Sequence, residues 1–235
     1  MEEKKSNMYE FIGETINPLL GECSHKCKFC YVEGLKRRFE AINIRYRGEV
    51  RLDEKVLKKK LKKGVRYFVG SCNDIFADNV PFKMKKAIID WCNNNPQSEI
   101  FLQTKNPNGL WKKVDYYYES FDLKPHITFC VTIETDDEEL IKSVSNAPAI
   151  YTRNAIAYLM CHTQITIEPI MKMKDIYKFA TFLSNCHAEQ INIGADSGHN
   201  NLVEPTKEEV LLLISELERL GQKVHLKSNL KRIIG

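Results

Sequence analysis

The 235-residue sequence has no run of apolar residues long enough to cross a bilayer, and its charged start, MEEKKSNMYE, has no signal-peptide character. These absences predict a cytoplasmic protein with no membrane partner. No internal repeat, low-complexity tract or linker breaks the chain, so a single domain over residues 1–235 is expected. Charge of one sign is scarce as well: 35 basic residues against 31 acidic leave a net charge of +4, with no long basic tract. That balance permits a nucleic-acid partner without implying one. The densest basic patch is KVLKKKLKKG at 55–64. It puts Val56, Leu57 and Leu61 on one side of a predicted helix and its lysines on a solvated face.

What is present is the composition of a soluble globular chain, 43% apolar and 28% charged, long enough to bury one substantial core. Short β-rich runs alternate with longer helical patterns. An early strand near 11–16 is followed by YFVG (67–70), IFLQT (100–104), HITFCVTIE (126–134), QITIEPI (164–170), QINIGA (190–195) and KVHLK (223–227). Helical patterns follow most of them, as in PFKMKKAIIDWCNNN, DDEELIKSV, KDIYKFATFLSNC and PTKEEVLLLISELERLG; the aromatic-rich stretch ending near Phe121 reads as helical or irregular. Such alternation predicts an α/β fold with about six to seven parallel strands, arranged as a partial (β/α) barrel. A doubly wound open sheet remains the alternative, because periodicity does not determine strand order. In either case the active site is expected beyond the C-terminal ends of the strands.

Eight cysteines without a secretory signal are expected to stay reduced, so clustered ones are read as metal ligands or catalytic thiols. Cys23, Cys27 and Cys30 lie within GECSHKCKFCYV, and no fourth cysteine follows until Cys72. Structural zinc needs four ligands, commonly from two separated pairs, and here the second pair is missing. His25 lies inside the same tight loop, where closing a tetrahedron would be strained. Catalytic zinc accepts three ligands, but from dispersed positions. Three thiolates also suit a [4Fe–4S] cluster with one iron left free.

The spacing Cys23-x3-Cys27-x-Phe29-Cys30, placed after the first predicted strand and before a series of βα units, resembles the cluster loop of the radical S-adenosylmethionine (SAM) superfamily. INPLLGECSHKCKFCYV is similar to the opening of its spore photoproduct lyase-like branch. YFVGSCNDIFADNVP, FLQTKNP, CVTIE, TIEPI, INIGADSG and VHLKSNL together resemble a phage-associated radical SAM family of unknown function. The resemblance implies a radical SAM partial barrel in which Cys23, Cys27 and Cys30 hold a [4Fe–4S] cluster. Its free iron would chelate the amino and carboxylate groups of SAM, and one electron would cleave SAM to a 5′-deoxyadenosyl radical that abstracts hydrogen from a substrate. It also implies an electron donor such as flavodoxin or ferredoxin. The lyase-like opening points towards a nucleotide or nucleic acid as the substrate, by analogy of fold.

The same resemblance suggests further site residues, each with a plainer alternative. Groups after the second strand would contact the SAM amino group; here GSCND offers Gly70, Ser71, Asn73 and Asp74, which equally suit a capped turn. Thr132 and Glu134 face one side of a strand and would touch the ribose or carboxylate of SAM, unless Glu134 and Thr135 simply begin a helix whose acidic first turn complements its dipole. Glu168, between Ile167 and Pro169, requires a buried partner or a ligand and is assigned to the cofactor. Phe29 and Tyr31 either stack near the adenine or pack the loop. Asn192, Asp196 and Lys227, with Asn229 nearby, are assigned to a substrate pocket into which Gly194 allows close backbone approach to a ligand. Cys72 and Cys130 are candidate thiols for returning a hydrogen atom, or small core residues. Cys92, Cys161 and Cys186 carry no spacing for a second cluster. The competing function is a zinc-containing nucleic-acid-binding module without redox catalysis.

Overall fold

The structure, a computed structural model, describes residues 9–114 and 117–235. Seven strands form its main sheet: β1 (Glu14–Ile16), β2 (Arg66–Val69), β3 (Glu99–Thr104), β4 (Ile127–Thr132), β5 (His162–Ile167), β6 (Gln190–Ile193) and β7 (Val224–Leu226). Each pairs in parallel with the next along the chain, and β1 and β7 are the two edges. A doubly wound sheet would reverse direction at a switch point, and this one never does. Sequential parallel strands joined by crossovers curl into a barrel, here left open between its edges.

The two faces of the sheet differ as strand parity requires. Tyr67, Val69, Ile100, Leu102, Phe129, Val131, Ile165, Ile167, Ile191 and Ile193 pack outward against the helices in the main core. Full burial of each such side chain is worth roughly 1.5–3 kcal/mol. On the inner face, Phe68, Phe101 and Cys130 meet Tyr9 and Ile12 in a second cluster. Further along the inner face the residues become polar: Tyr9 donates to Gln103 at 2.8 Å, Gln103 to Thr132 at 3.1 Å, and Asn192 to Gln164 at 3.1 Å. A polar inner layer at the C-terminal ends of the strands is what a ligand site needs.

Among the described residues eight helices accompany the sheet: α1 (Tyr31–Arg38), α2 (Glu40–Arg45), α3 (Glu54–Leu57), α4 (Phe82–Asn93), α5 (Glu138–Val144), α6 (Ile176–Ser184), α7 (Lys207–Arg219) and α8 (Lys231–Ile234). Asp137 and Asp175 cap α5 and α6, and Thr206 with Glu209 forms a capping box on α7. Among the described residues no helix is long and apolar enough to cross a membrane.

Two stretches differ from their sequence patterns. The helix expected through 55–64 ends at Leu57, yet Val56 and Leu61 are buried and the Leu61 N–H donates to Asn95 Oδ1 at 2.9 Å. The apolar spacing marked which residues go inside; a long-range amide, rather than a helical turn, satisfies the backbone. Residues 107–110 form a short 3₁₀ turn, followed by a hairpin of strands 111–114 and 117–120. From the sequence this stretch reads as helical or irregular, because the pairing of a two-stranded ribbon is not visible in one strand alone.

Candidate active site

The cysteine loop runs from the end of a small antiparallel pair, residues 19–20 with 51–52, into the start of α1. Gly21 makes the entry possible: its φ is +90°, and a Cβ there would lie 2.3 Å from the Glu49 carbonyl oxygen. The last residue of α5 and those just after it also hold the loop. Lys28 N–H donates to Val144 O at 2.8 Å, Asn146 N–H to His25 O at 2.7 Å, and the Ser145 hydroxyl lies 3.1 Å from Cys27 Sγ.

Asp74, in the loop after β2, ties this loop to the barrel. Its Oδ2 accepts from His25 Nε2 and from the Lys105 N–H, each at 2.8 Å. Its Oδ1 accepts from the Thr104 hydroxyl at 2.7 Å and the Phe76 N–H at 2.9 Å. Burial alone would raise this carboxyl, but the His25 charge and the four hydrogen bonds outweigh it and hold the group at about 2. Asn73, also buried, donates to Gly21 O at 2.8 Å and leaves its own Oδ1 without a partner.

Cys23, Cys27 and Cys30 line one side of a cavity of about 860 Å³ at the C-terminal ends of the strands, within the usual ~300–1,000 Å³ for small-molecule sites. Burial pushes the Cys23 thiol up to about 12, with nearby Asp74 adding to the effect, and burial also raises Cys27 and Cys30. Such thiols become ligands only where bound metal supplies positive charge to displace their protons. Among the described residues no three His, Cys, Asp or Glu side chains converge closely enough to hold a single ion.

Phe29, Tyr31, Ser71, Cys72, Asn73, Asp74, Thr132, Glu168, Asp196 and Lys227 line the same cavity. The Tyr31 hydroxyl donates to Ser71 O at 2.7 Å and lies 3.6 Å from Cys72 Sγ. Opposite the cysteines, Glu168 pairs with Lys227 and accepts from Asn229 Nδ2 at 2.8 Å, and Lys227 Nζ sits 3.9 Å from the Tyr9 ring centroid. Glu168 therefore has the partner that its apolar flank demanded. The Asp196 carboxylate accepts from Gly198 N–H at 3.0 Å and Asn200 Nδ2 at 2.7 Å, which holds its own loop.

Other expected residues lie behind the cavity wall. Cys130 belongs to the inner apolar cluster beneath, and Asn192 is wholly buried with its amide committed to Gln164 and Ile165 O. Glu134 is also wholly buried, outside α5, and its two oxygens are taken by Lys105 and Arg153. Gly194 does permit a close approach, but by Glu168: a Cβ would stand 2.7 Å from Glu168 Oε1. Sequence reasoning passed over Lys105, Arg153 and Ser145. Lys105 carried a signal, a cation one residue past a predicted strand end. Arg153 lies in a 3₁₀ stretch, 150–158, with no marked period, and nothing local announces it.

The sequence model of a family described as a protein of unknown function, DUF5131, matches residues 6–204. The chain belongs to that family. No curated protein matches this DUF5131 chain. Among solved structures it is similar to a Cys-to-Ser variant of spore photoproduct lyase, with a TM-score of 0.55 at 11% identity, covering 95% of this chain and 78% of that one. A doubly substituted variant of spore photoproduct lyase with bound AdoMet and dinucleoside spore photoproduct gives a TM-score of 0.51 at 12% identity over 87% of this chain. The DUF5131 chain spans 61% of the length of that protein. What is shared at such identities is the fold, the partial α/β barrel of radical SAM enzymes.

Proposed function

We propose that this DUF5131 protein is a radical SAM enzyme related to the spore photoproduct lyase-like branch and to a phage-associated family of that superfamily. The observation that carries the reading is the cysteine loop at the mouth of the strand-end cavity, three thiols on one wall. Three thiols in one short loop, with no second ligand pair and no fourth cysteine until Cys72, favour iron–sulfur over zinc. When bound, the cluster would supply the electron that cleaves SAM to a 5′-deoxyadenosyl radical.

Around it, Asn73 would offer its free Oδ1 to the SAM amino group, and Thr132 its hydroxyl to the ribose. Phe29 and Tyr31 would flank the adenine. Asp196 and Lys227 would orient the substrate, and Glu168, paired with Lys227, would contact SAM. Cys72, beside Tyr31, would be placed to return a hydrogen atom, whereas buried Cys130 would need an opening of the inner cluster. A flavodoxin or ferredoxin would serve as electron donor. Anaerobically reconstituted protein is expected to show iron–sulfur absorbance and to form 5′-deoxyadenosine from SAM with reductant. One zinc and no iron per chain would replace this reading with the zinc-module one.

The cavity rim supports a nucleotide or nucleic acid as substrate. Lys26, Lys28 and Arg37 line the opening, and Arg38 lies 5.9 Å from the ring of exposed Phe39. Cations beside an exposed aromatic suit phosphates and a stacked base. A single-stranded oligonucleotide should bind at low salt and weaken with a log–log slope of about −0.7 per neutralised phosphate. Charge reversal at Lys28 and Arg37 should flatten that slope. No binding at low salt would remove nucleic acid as the substrate.

A further inference from the structure

Beside the cysteine loop lies a set of three charges that the binding roles above leave unused: Lys105 lines the cavity, and Glu134 and Arg153 are buried behind it. Glu134 is 0% exposed, as is Arg153. The Arg153 guanidinium donates to Glu134 Oε2 at 2.7 Å, and Lys105 Nζ pairs with the other oxygen. The remaining Arg153 donors go to Thr132 O at 2.8 Å and to Pro148 O at 3.0 and 2.9 Å. Two cations and one anion leave a net positive charge, held by hydrogen bonds that leave it no freedom to reorient. Stability does not explain such a set, since replacing buried ion pairs with apolar residues is commonly neutral or stabilising.

Its position does offer an explanation. Lys105 Nζ lies 5.0 Å from the ring centroid of Phe29, the residue directly before Cys30. The Lys105 backbone N–H shares Asp74 Oδ2 with His25 of the cysteine loop, which keeps ammonium and loop in register. A [4Fe–4S]²⁺ core on three thiolates has a net charge of −1, and one-electron reduction takes it to −2. Nearby charge and burial are among the determinants of cluster potentials. A fixed positive charge in a poorly screened interior favours the more negative, reduced state.

We infer that the Lys105–Glu134–Arg153 triad is an electrostatic element that makes the cluster easier to reduce, with Lys105 as its positioning residue nearest the cysteines. This rests on the radical SAM reading of the same site. The test uses full-length protein reconstituted anaerobically, with iron content measured first, and a mediated dithionite titration followed by electron paramagnetic resonance without SAM. At fixed potential, Lys105→Met should lower the ratio of reduced to oxidised cluster about tenfold, a shift of about 59 mV to more negative potential for one electron. Lys105→Arg should stay near the wild type. Glu134→Gln, which removes the anion and keeps both cations, should shift the potential the opposite way. Lys105→Gln provides a second neutral variant should Lys105→Met fail to load iron.

A merely structural role for Lys105 would not produce shifts of opposite sign in Lys105→Met and Glu134→Gln. An unchanged potential in a fully loaded neutral variant overturns the inference and leaves the radical SAM reading intact, as does a shift of the same sign in all variants. Unchanged potential with weakened SAM binding would instead assign Lys105 to SAM. Wild-type protein that takes up no iron and sulfide overturns both readings together.

Discussion

Replacing Cys27 with alanine is expected to abolish cluster retention and SAM cleavage together while leaving the protein folded. Cys27 is the most buried of the three loop cysteines in the cavity wall, and its sulfur lies 3.1 Å from the Ser145 hydroxyl. The substitution removes one small side chain, and the loop keeps its anchors at Val144, Asn146 and Asp74, so the structural cost should stay near that of deleting a partly packed thiol. A cluster held by three thiolates would be left with two, too few to anchor three of its irons. Iron and sulfide analysis, visible absorbance and a 5′-deoxyadenosine assay read the outcome, with circular dichroism checking the fold. A Cys27→Ala protein that retained both iron and SAM cleavage would overturn the proposed function.

Asp74→Ala should produce the largest loss of stability. Four donors now satisfied by its carboxylate, from His25, Phe76, Thr104 and Lys105, would be left facing a void. Breaking a buried charged pair by removing one partner costs about 3–5 kcal/mol, and the midpoint of urea unfolding should fall accordingly with the slope unchanged. The pH dependence adds a signature. Asp74 titrates at about 2 in the folded protein, below the ~3.9 of a free aspartate, so the folded state binds fewer protons. Its contribution is complete above the unfolded value and is lost as pH falls through about 2. Glu134 behaves likewise: burial raises it, Lys105 and Arg153 more than reverse that, and it also rests at about 2. Stability of the wild type should therefore drop between about pH 4.5 and 2. In Asp74→Ala the drop should be shallower by the share of one carboxylate; an equal slope would mean that Asp74 is not held as described.

Strand positions were largely legible because each strand is a short apolar run bounded by turns. QINIGA and KVHLK differ from β6 and β7 only at their ends. The same periodicity misled at 55–64, where burial of Val56 and Leu61 survived but the helix did not. At the site, the predicted residues fell into two groups for a reason of depth. Those at or beyond strand ends, such as Thr132, Glu168 and Lys227, open into the cavity. Cys130 and Asn192 lie within their strands, where inward parity alone leads to a packed interior.

By itself the sequence determined the spacing of Cys23, Cys27 and Cys30, the alternation of strand and helix, and hence the class of fold. These are local properties, written in residue intervals of a few positions. Only the tertiary structure decided that β1 to β7 follow one another without reversal, that Asp74 joins the cysteine loop to β3, and that Glu134 serves Lys105 and Arg153 instead of the cavity. Those pairings span 19 to 49 residues of chain. Hydrogen bonds and ion pairs over such separations leave no interval in the sequence, because their geometry exists only after the sheet has brought the strand ends together.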